Sequence, residues 1–219
     1  SSRREYLGTI GTVWLEKGGV YVLANIRGGG EYGADWHKAG IKTKRQRVFD
    51  DFQAVAGDLI ARGITSPHRL GITGGSNGGL LTGVQLTQRP ELWGAVVMSV
   101  PLLDMMRYHR LLVGRSWMSE YGDPDDPAEG AFLRSISPYH NVKQGVRYPE
   151  ALLFTSRADD RVHPGHARKM AARLEEVGAP VLFDESDSGG HGGVMNSLDR
   201  PAPVTLEWVY FMKKLMDRA

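Results

Sequence analysis

Short apolar runs alternate with longer amphipathic segments along the chain. Residues 20–26, VYVLANI, combine β-branched and aromatic side chains and stop at Gly28, Gly29 and Gly30, which predicts a buried strand. Residues 48–63 predict a helix. Val48, Phe52, Val55, Leu59 and Ile60 share one face, and Gly63 stands at the C-terminal end. Further strands are predicted over 69–75, 94–101, 151–157 and 181–186. Helices are predicted over 77–90, over 164–178 with a proline at its start and a glycine at its end, and over 204–219. Strand and helix at this spacing argue for βαβ units and a parallel sheet. The strands are near-continuous apolar runs, as expected when helices cover both faces. Residues 102–149 break the rhythm and read as an insertion over one end of the sheet. There is no internal repeat, low-complexity segment or internal linker.

Composition narrows the class without changing the picture. The 219 residues have the length of one α/β domain. They are 41% hydrophobic and 24% charged, which suits a folded globular chain. The formal net charge of +2 is too small to argue for nucleic acid or an anionic membrane surface as partner. With no cysteine, disulfides and thiolate metal sites are excluded. The compartment is then left open, the cytoplasm being the expectation and the periplasm the alternative. No apolar run reaches the roughly 18–20 residues that a membrane span requires. The opening stretch has no initiator methionine and no secretory pattern, so the expectation is that either residues were removed or the chain is part of a longer one.

Chemistry enters at residues 71–81, GITGGSNGGLL, where five glycines surround one serine and one asparagine. Ordering glycine is costly, so the cluster needs a reason. Residues 74–78 fit G-x-S-x-G between a predicted strand and a predicted helix, the context of a nucleophile elbow. In such a turn Ser76 Oγ stands above the sheet at a helix N-terminus. The backbone N–H of Asn77 then points where an oxyanion would form. A serine hydroxyl needs a base, and in α/β-hydrolases an acid and a histidine follow in that order after later strands. ADDRVHPGH follows the strand predicted at 151–157, so Asp159 or Asp160 supplies the carboxylate. DSGGHGG follows the strand predicted at 181–186, so His191, in a glycine-rich loop, supplies the base.

Other features carry less. His163 and His166 lie near Asp159, but no further ligands cluster with them, and no metal or other cofactor is expected. KTKRQR, at 42–47, reads as a solvated loop before a helix rather than an anion site.

With these motifs in hand, the chain resembles the catalytic domain of the prolyl oligopeptidase family of serine peptidases. The resemblance rests on ANIRGGGEYGADWHKAG at 24–40, the elbow GGSNGG at 74–79, DDRV at 159–162 and GHGG at 190–193, and it covers essentially all 219 residues. It implies an α/β-hydrolase fold with a mainly parallel sheet and helices on both faces, occupying residues 1–219 and lacking its first strands. It implies Ser76 as nucleophile, Asp159 as the acid and His191 as the base, with Asn77 N–H as one oxyanion donor. Arg161 resembles the arginine that binds a substrate carbonyl. Trp117 resembles the tryptophan that stacks on a substrate proline, with Tyr121, Val162 and Leu102 lining the same pocket.

The expected partners are short proline-containing peptides, together with a β-propeller and the remaining hydrolase strands of the same protein. The family's second oxyanion donor, a tyrosine, has no counterpart here, since neither Tyr6 nor Tyr21 sits in that motif. The isolated chain is therefore expected to be a poor enzyme. The alternatives are a related peptidase or esterase of other specificity, such as an acylaminoacyl peptidase, and an inactive binding domain.

Overall fold

The computed structural model describes residues 8–195 and 201–216. Four strands form one sheet: β1 (Gly71–Gly75), β2 (Ala95–Ser99), β3 (Ala151–Ser156) and β4 (Val181–Ser186). All pairs are parallel and the spatial order follows the chain. Parallel neighbours cannot be joined by a tight turn, so each connection crosses a face of the sheet. The Asn77–Gln88 helix links β1 to β2, and the Gly165–Glu176 helix links β3 to β4.

The two-residue side-chain period of β2 and β3 divides the core. Val96, Met98, Ala151 and Leu153 face Leu86, Met170 and Leu174. Ala95, Val97, Leu152 and Phe154 face Trp208, Phe211 and Leu215. Both strands are thus buried on two sides, the reason they read as unbroken apolar runs. Of the C-terminal helix expected over 204–219, Pro201–Phe211 is α-helical and Met212–Met216 continues as a π-helix. Residues 217–219 lie outside the described part.

Two expectations are corrected. Residues 20–26 form no strand, and Val20, Tyr21, Val22 and Leu23 are exposed. Apolar, β-branched composition makes a strand only where a ladder partner lies alongside. Among the described residues β1 pairs with β2 alone, and nothing pairs with 20–26. Two indoles fasten the segment instead: Trp14 Nε1–H donates to the Val20 carbonyl at 3.0 Å and Trp36 Nε1–H to that of Ile26 at 2.9 Å. The second correction concerns the Gln46–Ala61 helix, whose buried face is centred on Phe49 and Ala56. Val48 turns toward the Gly28–Gly40 approach instead, where a Cβ at Gly28 would come within 3.0 Å of it.

Residues 102–149 hold several short helices and add a third cluster. Leu102, Met105, Tyr108, Tyr121 and Leu133 pack there with Leu80, Val84 and Val162. His166 ties this region to the Gly165–Glu176 helix: its Nδ1 accepts from the N–H groups of Leu103 at 3.2 Å and Asp104 at 3.0 Å. Burial drives its pKa down to about 4, the nearby Asp104 only partly opposing the effect.

A protonated imidazole would meet those two N–H donors with a third, so His166 must be neutral in the folded state. The unfolded histidine titrates near 6.5 and takes up its proton first. This contribution to stability is therefore present above about pH 6.5 and is lost as pH falls toward 4. Linkage sets its size at about 3 kcal/mol. Urea unfolding of the intact protein between pH 7 and 4 is expected to show this slope in the parent. It should be flatter in His166→Asn, which keeps an acceptor without a titrating group.

Candidate active site

The three expected catalytic residues all follow strands at their C-terminal ends, the edge where open α/β sheets hold ligands. Ser76 directly follows β1, Asp159 follows β3 and His191 follows β4. The turn at Ser76 is strained, with φ +56° and ψ −113°, a region that residues with a side chain rarely occupy. It is held from both sides: Ser76 N–H donates to the Ser99 carbonyl of β2 at 2.8 Å, and the Ser76 carbonyl accepts from Leu80 N–H at 3.2 Å. The glycines now have their reason. A Cβ at Gly74 would lie 2.3 Å from the Gly78 carbonyl oxygen, and one at Gly79 would lie 2.5 Å from Pro101. Asn77 opens the helix, so its N–H is one of the first-turn donors that no intrahelical carbonyl reaches.

Asp159 is 4% exposed and His191 5% exposed, and they face each other. His191 Nδ1 lies 2.9 Å from Asp159 Oδ2 and 3.1 Å from Oδ1. Asp159 Oδ1 also accepts from the N–H groups of Arg161 and Val162, both at 2.9 Å. The carboxylate is thereby fixed, and Nδ1–H is its donor. That tautomer leaves Nε2 of His191 as the acceptor. No hydrogen bond joins Ser76 Oγ to His191. Asp160, the alternative acid, is exposed, and the hydrogen bonds of His191 Nδ1 go to Asp159. His191 does not sit in a loop as expected but opens the short Gly190–Met195 helix. Gly189 at φ +99° and Gly190 at φ +55° make the reversal into it, which explains the glycines there.

The expected binding residues also converge. Leu102, Tyr121 and Val162 are buried together, and half-buried Trp117 packs against the same cluster. Arg161 is exposed, and no side-chain partner holds its guanidinium among the described residues. Tyr121 does more than line a wall, because its hydroxyl donates to Asn77 Oδ1 at 2.9 Å. Burial raises its pKa to about 12, so it remains a donor.

One functional neighbour contradicts the sequence expectation. Arg45, inside the run read as a solvated loop, is 3% exposed. Its Nη2 donates to Asn77 Oδ1 at 2.7 Å and its Nη1 to Glu120 Oε1 at 2.9 Å, while the guanidinium lies 4.3 Å from the Tyr121 ring centre. A buried charge needs such partners. Glu120 in turn meets His37 Nε2 at 2.9 Å. The available signal was phase: Arg45 stands four residues before Phe49, on the buried helical face.

A serine nucleophile at this site depends on Asp159 to hold His191. Asp159→Asn is expected to slow labelling of Ser76 by a fluorophosphonate by about 10³–10⁴-fold, as for other triads that lose the correct histidine tautomer. Asp160→Asn should stay within about twofold. The reverse order, in folded variants, would reassign the acid.

The prolyl oligopeptidase family profile matches residues 9–218. An uncharacterized peptidase of Sinorhizobium fredii is 61% identical over 212 residues, covering 97% of this chain and 29% of that protein. A prolyl endopeptidase of Elizabethkingia miricola is 43% identical over 187 residues, covering 84% of this chain and 26% of that protein. This chain thus spans under a third of these relatives. Among solved structures, one from a study of two prolyl endopeptidases superposes with a TM-score of 0.93 at 45% identity, covering 100% of this chain and 32% of that one. A post-proline cleaving enzyme from Rickettsia typhi gives 0.88 at 43% identity, covering 94% of this chain and 30% of that one. With a strained serine turn, a buried carboxylate–histidine pair and these likenesses together, the chain belongs to the prolyl oligopeptidase family.

Proposed function

We propose that this chain is the catalytic part of a serine peptidase that cleaves short peptides after proline. The observation that carries the reading is the Asp159–His191 pair, fixed by two backbone N–H groups, at the same sheet edge as the strained Ser76 turn. Ser76 Oγ attacks the carbonyl carbon of the scissile bond and passes its proton to His191 Nε2. The carbonyl oxygen becomes an oxyanion facing Asn77 N–H, while Asp159 stabilises the imidazolium. Collapse breaks the C–N bond, and His191 gives its proton to the departing amine. Water, activated by the same imidazole, then hydrolyses the acyl-enzyme and frees Ser76. In this mechanism no step calls for a metal or an organic cofactor.

Proline preference is read from Trp117 beside Leu102, Tyr121 and Val162. A proline ring is apolar and its nitrogen carries no hydrogen in a peptide, so an indole face gives contact area without an unused donor. The unpaired guanidinium of Arg161 suits the carbonyl of the preceding residue. The relatives described as prolyl endopeptidases support the same preference. We further propose that strands from the rest of the polypeptide pair beside β1, whose outer edge has no ladder partner among the described residues. An unpaired edge of this kind favours association.

The test uses the intact protein. A fluorophosphonate should label the parent and not Ser76→Ala, and Ser76→Ala should lose turnover of a proline-containing chromogenic peptide. Trp117→Ala should lower kcat/KM for proline before the scissile bond by about tenfold or more, since an aromatic stack adds about 0.5–1.5 kcal/mol to burial. The loss for an alanine substrate should be smaller. Near-parental turnover by Ser76→Ala would overturn the mechanism, and equal losses on both substrates would make Trp117 structural.

A further inference from the structure

Two donors converge on one atom beside the nucleophile. Asn77 Oδ1 accepts from Arg45 Nη2 at 2.7 Å and from Tyr121 Oη at 2.9 Å. Both partners can only donate here: the guanidinium carries no acceptor, and the Tyr121 phenol holds its proton. The amide oxygen of Asn77 must therefore point inward, and its orientation is chemically determined. Nevertheless Asn77 as a residue is exposed. An exposed side chain with a doubly held inner atom is restrained for a purpose other than packing.

That restraint acts on the backbone as well. Asn77 is the first residue of its helix, and the preceding Ser76 is strained. A strained turn persists only where its surroundings over-determine it. Ser76 N–H is fixed to β2 and the Ser76 carbonyl to Leu80 N–H, but Asn77 N–H, the proposed oxyanion donor, is a first-turn donor with no backbone acceptor among the described residues. We infer that Arg45 is a positioning residue: by clamping the Asn77 side chain together with Tyr121, it aims Asn77 N–H at the developing oxyanion. The inference rests on the serine-peptidase reading above and extends it.

The surroundings fit a purpose-built clamp. The guanidinium lies over the Tyr121 ring and is held on its other side by Glu120, which is itself bonded to His37. Arg45 is thus fixed by two groups, Tyr121 and Glu120, before it reaches Asn77. Its neighbours Lys42 and Lys44 remain at the surface, as charged residues in such a run usually do.

The role predicts a signature that packing alone would not produce. An oxyanion donor acts in the transition state, so its misalignment lowers kcat and leaves substrate binding largely intact. In the intact enzyme, Asn77→Ala and Arg45→Met should each lower kcat for a proline-containing peptide about 10–100-fold, with KM within threefold. Both should weaken inhibition by a peptide ending in proline aldehyde, which forms a tetrahedral adduct, by the same factor. Inhibition by the cleaved product peptide should stay within threefold. The double variant should be no worse than the worse single one, and Arg45→Lys should recover most of the rate.

Asn77→Ala alters an exposed side chain, so it carries the test even where Arg45→Met fails to fold. Parental kcat in Asn77→Ala, multiplying losses in the double variant, or equal weakening of aldehyde and product would overturn the clamp. Fluorophosphonate labelling of the parent keeps the questions apart. An unlabelled parent overturns the serine-peptidase reading and the clamp with it, whereas a labelled parent with an indifferent Asn77→Ala overturns the clamp alone.

Discussion

The turn at Ser76 is the constraint around which the rest is arranged. A serine at φ +56° is unfavourable by about 1–3 kcal/mol, and it persists because neighbours on every side fix the backbone. Ser99 of β2 takes its N–H, Leu80 bonds to its carbonyl, and Gly74 and Gly79 allow strand, helix and the loop after β2 to approach closely. Val100 shows the same logic one step further along the sheet. It is a β-branched residue at φ +41°, fully buried, with its N–H held by the Phe154 carbonyl of β3 at 2.8 Å. Two strained residues thus lie on adjacent loops at the strand ends.

From that point the site is assembled by parallel strands rather than by local sequence. Asp159 and His191 lie 32 residues apart in the chain. They meet because β3 and β4 are adjacent and parallel. The carboxylate is preorganised by backbone donors of its own loop, Arg161 and Val162. The same loop therefore positions the acid and carries two of the residues proposed to touch substrate. Across the cluster, Leu102 and Tyr121 arrive from the long connection after β2, and Val162 arrives from the acid loop. His166 fastens these two regions together through the N–H groups of Leu103 and Asp104.

Legibility followed the range of the determining interactions. The elbow was visible because glycine, serine and asparagine in that order, between a strand pattern and a helix pattern, leave few geometries open. β4 was read at its observed bounds because its flanks carry turn residues. Residues 20–26 read as a strand because β-branched and aromatic composition reports what a strand needs and not whether a neighbour exists. The Gln46–Ala61 helix was recognised, but its inward face was set one position away by the glycine contact at Val48. Arg45 was hidden by its company, since a run of cations looks solvated. Its four-residue spacing to Phe49 is the local sign of burial, and Asn77, Glu120 and Tyr121 supply the partners that permit it.

The strained turn also bears on how the chain reaches its native state. A backbone conformation that is unfavourable on its own is a poor nucleus, because within residues 71–81 only the bond from Leu80 N–H to the Ser76 carbonyl supports it and the Ser76 N–H has its partner in β2. Its stabilising contacts come from β2, and those of Val100 come from β3, more than fifty residues away. The elbow should therefore close late, after the parallel register of the central strands is set. Parallel pairing of distant segments is intrinsically slow. Ser76 is thus expected to reach its strained conformation late in folding.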